Sequence, residues 1–207
     1  MGAESRSPRR LSASVLLVLG LVLLGRGMAP GQPPQPSAAD SGLPGAELAD
    51  VPGAPALPAS APVRIRIPSI GVDAPLTGLG LDASGHLATP PVDKPDTAGW
   101  FTGGPTPGAS GPAIIEGHVD NAHGPAVFYG LGSLHPGDTL DIDRRDHRTA
   151  EFTVDGIEVY PRTAFPDQLV YGRTDNPELR VITCGGGYSK ATGYLGNVVV
   201  FAHLTGP

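Results

Sequence analysis

Residues 179–187 read Leu-Arg-Val-Ile-Thr-Cys-Gly-Gly-Gly, an apolar run that ends in the only cysteine of the chain, Cys184. The β-branched residues of the run predict a strand, and the glycines predict that the strand stops there in a loop. Such a strand presents its last side chain at an open edge of the sheet, where it is both held and accessible. The sequence therefore predicts a β-structured domain with an accessible thiol at the end of one strand.

A second apolar run ends in the same way 66 residues upstream of Cys184, where residues 114–120 read Ile-Ile-Glu-Gly-His-Val-Asp. It predicts a buried strand followed by a loop that carries His118. A thiol is mostly protonated at neutral pH, and a neighbouring imidazole can take its proton and later give it to a leaving amine. We therefore predict that Cys184 is a nucleophile and His118 its acid–base partner. On position alone, a non-catalytic interpretation is equally good, with Cys184 as a small buried residue and His118 as an ordinary histidine at the edge of the sheet.

The rest of residues 63–207 has the patterns of short strands and tight turns. Residues 127–134 predict one or two helical turns, and residues 165–171 predict a short helix. Trp100 and Phe101 are expected in the core, or else in an apolar wall beside the site. Seven or more short strands with little helix favour an all-β domain built as a closed or nearly closed barrel. Besides the strand that ends at Cys184, strands are predicted at residues 63–67, 72–76, 113–117, 139–143, 150–160 and 197–204.

The first 28 residues have the pattern of an export signal. Three arginines precede an apolar run at residues 11–24, and a fourth follows it. The run is shorter than the roughly 20 residues that cross a bilayer comfortably. It predicts a cleaved signal peptide or an uncleaved signal-anchor, and the lack of a convincing cleavage site favours the anchor, with the following chain outside. Outside the cytoplasm, a cysteine without a partner in its own chain favours a reactive role for Cys184.

Residues 29–62 hold nine prolines in 34 residues and no aromatic residue, which predicts a disordered, partly extended linker. Residues 63–207 remain as one folded domain, long enough for a sizeable core. This domain carries 10 Lys and Arg against 16 Asp and Glu, so the whole net charge of −6 lies in it. An acidic domain without a basic stripe argues against a nucleic acid as partner.

Acyl transfer also needs groups that hold a developing oxyanion. The glycines after the thiol could supply backbone N–H groups. Among cations, Arg180 lies on the same face of the strand as the thiol, and Lys190 lies in the loop between the last two strands. Asp120 either positions His118 or forms a turn. Together with His123 these two residues could bind zinc, but nothing completes a typical metal pattern, so we predict no metal and no cofactor.

Three of these features together resemble the sortases, the membrane-anchored cysteine transpeptidases of Gram-positive bacteria. They are Ile-Thr-Cys at residues 182–184, Gly-His at residues 117–118, and the closing strand Asn-Val-Val-Val-Phe-Ala at residues 197–202. The Cys-Gly-Gly and Gly-His-Val-Asp versions, with the opening Val-Arg-Ile-Arg-Ile-Pro at residues 63–68, look most like the class E/F branch of high-GC Gram-positive bacteria. The likeness covers roughly residues 63–204.

The resemblance implies an eight-stranded β-barrel and a sortase reaction. Cys184 would attack the Thr–Gly bond of a C-terminal sorting signal of the Leu-Pro-x-Thr-Gly type on a surface protein. An amine of a cell-wall precursor or of a pilin would then resolve the thioacyl enzyme, with His118 as the acid–base. The connection at residues 165–178 would form one wall of the peptide groove. The protein would be a single-pass protein of the cell membrane with its catalytic domain outside. The candidates for substrate binding are Thr183, Asp120, Arg180 and Lys190.

Sortases place an arginine on the last strand, facing the thiol, and this sequence has no arginine after Arg180. Asn197 stands at or near that place, so the oxyanion role falls on Asn197 by position, or on Arg180 or Lys190 by charge. The departure leaves open a second function, a catalytically impaired sortase-like domain that binds wall or peptide ligands. An L,D-transpeptidase is a weaker alternative, because those enzymes carry their histidine next to the cysteine.

Overall fold

The strands of this protein form one sheet that closes on itself. The computed structural model describes residues 31–37 and 53–207. Eight strands form a closed barrel in the order β1-β2-β3-β4-β9-β10-β8-β7, and β5 pairs with β6 in a small separate ribbon. All-β architecture and an eight-stranded barrel are therefore confirmed. The strands are β1 (Pro62–Ile67), β2 (Val72–Leu79), β3 (Ala98–Phe101), β4 (Gly111–Glu116), β5 (Asp120–Asn121), β6 (Gly124–Pro125), β7 (Thr139–Arg144), β8 (Thr149–Pro161), β9 (Pro177–Ser189) and β10 (Gly193–Gly206).

Helices are short in the described part of the chain. One α-helix, α1, spans Asp167–Tyr171, and 3-10 turns span Pro68–Ile70, Leu131–Ser133 and Arg162–Ala164. Within residues 31–37 and 53–207, no helix has the length and apolar character needed to cross a membrane. The predicted anchor at residues 1–28 lies outside the described residues.

Alternating side chains explain why the sheet closes around an apolar interior. In β1, Ile65 and Ile67 are fully buried in the barrel, whereas Arg64 and Arg66 point outward. Arg64 pairs with Asp73 of β2 at 2.5 Å, an exposed ion pair that contributes little to stability. Burial of each large apolar side chain contributes about 1.5–3 kcal/mol, so the interior stabilises the barrel far more than these pairs do.

A second apolar cluster lies outside the barrel and explains the continuous apolar runs of the sequence. The strands β4 and β9 pair in parallel, Glu116 beside Ile182, and are covered on both faces. The side chain of Val170 from α1 packs onto this outer face. The strand that carries the thiol is therefore not an open edge, as the glycines predicted. It lies between β4 and β10 and continues past Cys184 to Ser189, since the glycines there bend the β9–β10 hairpin without ending it.

The predicted linker packs partly against the barrel. The backbone N–H of Ala54 donates to Leu204 and that of Leu57 donates to Gly108, both at 2.8 Å. The buried guanidinium of Arg144 donates to the carbonyl oxygens of Pro58 and Pro107. Residues 53–61 thus extend the folded domain beyond its predicted start, because their few apolar groups and free carbonyls find partners on the barrel.

Candidate active site

The cysteine lies in a row of three side chains that crosses three strands. Cys184 of β9 pairs directly with Asn197 of β10, and Asn197 pairs with Tyr160 of β8. Directly paired residues share one face of a sheet, so these side chains point to the outside of the barrel. The thiol is free and exposed, which is not the position of a small buried cysteine.

The histidine lies at the end of β4, the parallel neighbour of β9. The Nε2 atom of His118 is 2.8 Å from the carbonyl oxygen of Pro90. Because a carbonyl only accepts hydrogen bonds, Nε2 carries the proton, and Nδ1 of the neutral ring is the free base. No hydrogen bond joins the ring to the Cys184 thiol within the described residues. Catalytic contacts of this kind often tighten only when substrate binds.

A buried hydroxyl ties the two strand ends together. The Thr183 Oγ1 donates to the carbonyl oxygen of Gly117 at 2.8 Å, and the Gly117 N–H donates to the carbonyl oxygen of Ile182 at 3.2 Å. A Cβ atom on Gly117 would lie 2.6 Å from side-chain atoms of Val127 and Phe128, so only glycine fits there. Thr183, predicted to touch substrate, thus holds the backbone before His118 against the backbone before the thiol.

We expect Thr183→Val to destabilise the fold by about 1–3 kcal/mol, because the Gly117 carbonyl loses its buried donor. The histidine segment would also shift, and a displacement of about 1 Å can lower a turnover rate by as much as about 100-fold. Urea unfolding and peptide turnover measure the two effects. Thr153→Val is the matched control, since its hydroxyl bonds to Thr205 on the exposed surface. Equal behaviour of both variants would contradict this account of Thr183.

The thiol opens into a long groove on the outside of the barrel, with a volume of about 1400 Å³. Cys184 and Asn197 line it. Tyr171 from the connection before β9 lines it as well, as do Leu81 and Leu87 from the loop after β2. Apolar and polar side chains share the lining, and the volume exceeds that of a typical small-ligand pocket, which suits a peptide.

Carboxylates rather than cations dominate the electrostatics around the thiol. Burial raises the pKa of Glu116, on β4 in the groove, to about 7. Partial desolvation by the atoms around the groove raises the pKa of the Cys184 thiol above its ordinary value. The Glu116 and Asp120 charges raise it further, and Arg162 acts in the opposite direction. The resting thiol is therefore mostly protonated at neutral pH.

We expect Glu116→Gln to make the thiol more reactive above pH 8, by about threefold or more. Glu116 is neutral well below pH 7 and ionised above it, so its charge opposes the thiolate only on the alkaline side. The ratio of iodoacetamide alkylation rates, variant over wild type, should rise from about one near pH 6 to a plateau above pH 8. A ratio that does not change with pH would contradict this role.

The loop that follows the histidine is fixed by a tyrosine that the sequence analysis did not identify. The Tyr194 hydroxyl of β10 donates to the Asp120 carboxylate at 2.5 Å, and burial together with this carboxylate raises the pKa of Tyr194. The ring also packs edge-on against Tyr188, 5.2 Å between centroids. Asp120 thus connects the loop after His118 to the β9–β10 hairpin.

The two cations predicted for the oxyanion role lie elsewhere. Arg180 lies four residues before the thiol, about 13 Å along the strand. Its buried guanidinium pairs with Glu178 and stacks over the Phe201 ring, 4.6 Å from the centroid. Lys190 is exposed at the tip of the β9–β10 hairpin. Asn197, directly opposite the thiol, is the predicted residue that the structure brings to it.

The backbone N–H groups of the glycines after the thiol are only partly available to a substrate. The Gly186 N–H donates to Oε1 of Gln35 at 2.9 Å, so the segment at residues 33–37 occupies this donor. Concerning the zinc alternative, residues 31–37 and 53–207 contain no group of three or more His, Cys, Asp or Glu side chains arranged to hold a metal ion.

The fold and the site define an all-β barrel protein with one free thiol in an external groove. A sequence model described as the Sortase domain matches residues 65–205. Sortase A from Corynebacterium diphtheriae, lid mutant, is 21% identical with a TM-score of 0.55, and the match covers 73% of each chain. Sortase C1 from Streptococcus suis is 18% identical with a TM-score of 0.53 over 72% of this chain and 74% of that one. Sortase A from Listeria monocytogenes is 19% identical with a TM-score of 0.51 over 71% and 88%.

No curated protein matches the chain by sequence. The likeness to the solved structures shows the fold, and the domain match covers more than half of the chain. The chain belongs to the sortase family, whose members are generally cysteine transpeptidases.

Proposed function

We propose that this protein is a cysteine transpeptidase that cleaves a sorting signal of the Leu-Pro-x-Thr-Gly type between Thr and Gly. The observation that carries the proposal is the exposed Cys184 thiol in an external groove, opposite Asn197. The hydrogen bond from Thr183 to Gly117 fixes the segment that carries His118, just after the neighbouring strand β4. A nucleophile, a base and a neutral donor thus come from adjacent parts of the sheet.

The reaction follows from these groups. The Cys184 sulfur, after its proton passes to His118, attacks the threonine carbonyl carbon and forms a C–S bond. The Asn197 amide donates a hydrogen bond to the oxyanion of the intermediate. The C–N bond then breaks as His118 protonates the departing glycine amine, which leaves a thioester. An acceptor amine attacks the thioester and gives its proton to His118, and the thiolate leaves.

The proposed setting is the outer face of a cell membrane. The arginine-flanked apolar run at residues 11–24 would anchor the chain with the barrel outside. The substrates would be surface proteins that carry sorting signals, and the acceptor would be an amine of a cell-wall precursor or of a pilin. The class E/F assignment belongs to the same proposal and rests on the Cys-Gly-Gly and Gly-His-Val-Asp motifs.

A second candidate is a catalytically impaired domain that binds wall or peptide ligands. Two observations favour it: β10 carries Asn197 and no arginine, and burial with nearby carboxylates raises the pKa of the Cys184 thiol. Such a domain would hold a peptide in the groove without breaking its bonds.

A transpeptidation assay separates the two functions. The full-length protein is incubated with Leu-Pro-x-Thr-Gly peptides that differ at x, together with triglycine or lysine amide as acceptor. We expect a product in which the acceptor amine is joined to the threonine carbonyl, and none from peptides with the motif order reversed. Saturable peptide binding without any product would instead identify a binding domain.

A further inference from the structure

The nucleophile needs a positive charge that the last strand does not supply. Asn197 faces the thiol but is neutral, and Arg180 is buried in its pair with Glu178. Negative groups surround the thiol on other sides, Glu116 from β4 and Asp120 from the loop after His118. A thiolate in this setting is disfavoured unless a cation lies within reach.

The 3-10 turn after β8 carries a cation close to the row of Cys184. The strands β8 and β9 are both antiparallel to β10, so they run in the same direction, about 10 Å apart across one intervening strand. Tyr160 of β8 lies in the same row as Cys184, and Arg162 follows Tyr160 by two residues, where the chain leaves the sheet in the direction of Gly186. A long arginine side chain at this position needs to cross only β10 to approach the thiol.

The guanidinium of Arg162 is also available to act on the thiol. Its side chain is exposed and makes no hydrogen bond or ion pair with residues 31–37 and 53–207. Among the charged groups of the described residues that act on the thiol, Glu116 and Asp120 oppose ionisation and Arg162 favours it. Arg173 is similarly exposed in the groove wall but is not among these groups.

We propose that Arg162, from the turn after β8, supplies the positive charge that stabilises the Cys184 thiolate, in place of an arginine on β10. The inference deepens the proposed function and rests on it only in part, since the thiolate is the attacking form of the nucleophile. It concerns the thiol itself, however, and its test needs no peptide.

The test is the pH profile of iodoacetamide alkylation of Cys184 in the full-length protein, compared among wild type, Arg162→Gln, Arg162→Lys and Arg173→Gln. The other titratable groups of the neighbouring segments, the His118 ring and the Tyr194 phenol, are unchanged in all four proteins. We expect Arg162→Gln to slow alkylation at pH 7 by about three- to tenfold at low salt and to move the profile to higher pH. Arg162→Lys should restore most of the rate, and Arg173→Gln should match wild type.

An unchanged profile in Arg162→Gln, or an equal shift in Arg173→Gln, would overturn the inference. Thermal unfolding of each variant should match wild type, because the exposed side chain has no bonded partner. The outcome is independent of the proposed function. A shifted profile in a protein that turns over no sorting peptide would leave the role of Arg162 standing and refute the transpeptidase.

Discussion

We expect replacement of Cys184 with alanine to abolish the proposed transpeptidation, a loss of about 10⁴-fold or more, to the level of the uncatalysed reaction. In the proposed reaction the sulfur forms the thioester with the cleaved peptide, and no other thiol exists in the chain to replace it. Initial rates of product formation with a sorting peptide and an amine measure the loss. The fold should survive, because the side chain is exposed and its removal leaves no cavity.

Cys184→Ser is the control for the size of the side chain at this position. The hydroxyl keeps the size of the side chain but is a far weaker nucleophile than a thiol at neutral pH, so the serine variant should be nearly as inactive. Retained product formation in Cys184→Ala would contradict covalent catalysis at this residue and would direct attention to a different nucleophile.

Replacement of His118 with glutamine should lower turnover by about 10²–10⁴-fold, the usual contribution of a general acid–base. The glutamine amide can still donate to the Pro90 carbonyl, which His118 Nε2 contacts at 2.8 Å, but it cannot accept the thiol proton. The pH–rate profile should therefore lose the limb that the imidazole contributes. Peptide affinity should change little, because the ring does not line the groove.

His123→Gln is the matched control for the histidine. His123 is exposed in the same loop and its backbone N–H donates to Asn121 at 2.8 Å, a contact that the substitution preserves. Wild-type activity in this variant is the expected result. Equal losses in both histidine variants would favour the zinc alternative, in which His118 and His123 act together.

The barrel could be predicted because most of its strands show a local pattern of apolar residues. The alternation in β1 and the apolar runs of β4 and β9 are local signals, and each predicted strand exists with bounds shifted by a few residues. β3 has no such signal, because Ala98–Phe101 is short, contains glycine and pairs in parallel with β2 through a crossover connection. The continuation of β9 past Cys184 was missed for a related reason: the glycines after the thiol resemble a strand end but form a bent hairpin arm.

The sequence predicts the site residues that local patterns mark, but not the residues that strand pairing brings beside them. Cys184 and His118 stand out because a reactive side chain follows an apolar run in each case. The neighbours Tyr194 and Arg162 depend on strand order and register, which local patterns do not contain. Glu116 did leave a signal, a carboxylate inside an otherwise apolar strand, and the raised pKa of its buried side chain is the physical consequence.

The proposed reaction requires a thioester between Cys184 and a sorting peptide. Intact-protein mass spectrometry detects it in the full-length protein, after incubation with the peptide panel in the absence of an amine and an acid quench. We expect a mass increase equal to the acyl fragment that ends in threonine, located on Cys184 by digestion and absent from Cys184→Ala. A folded protein that binds the peptides and shows no such increase with any of them would contradict it.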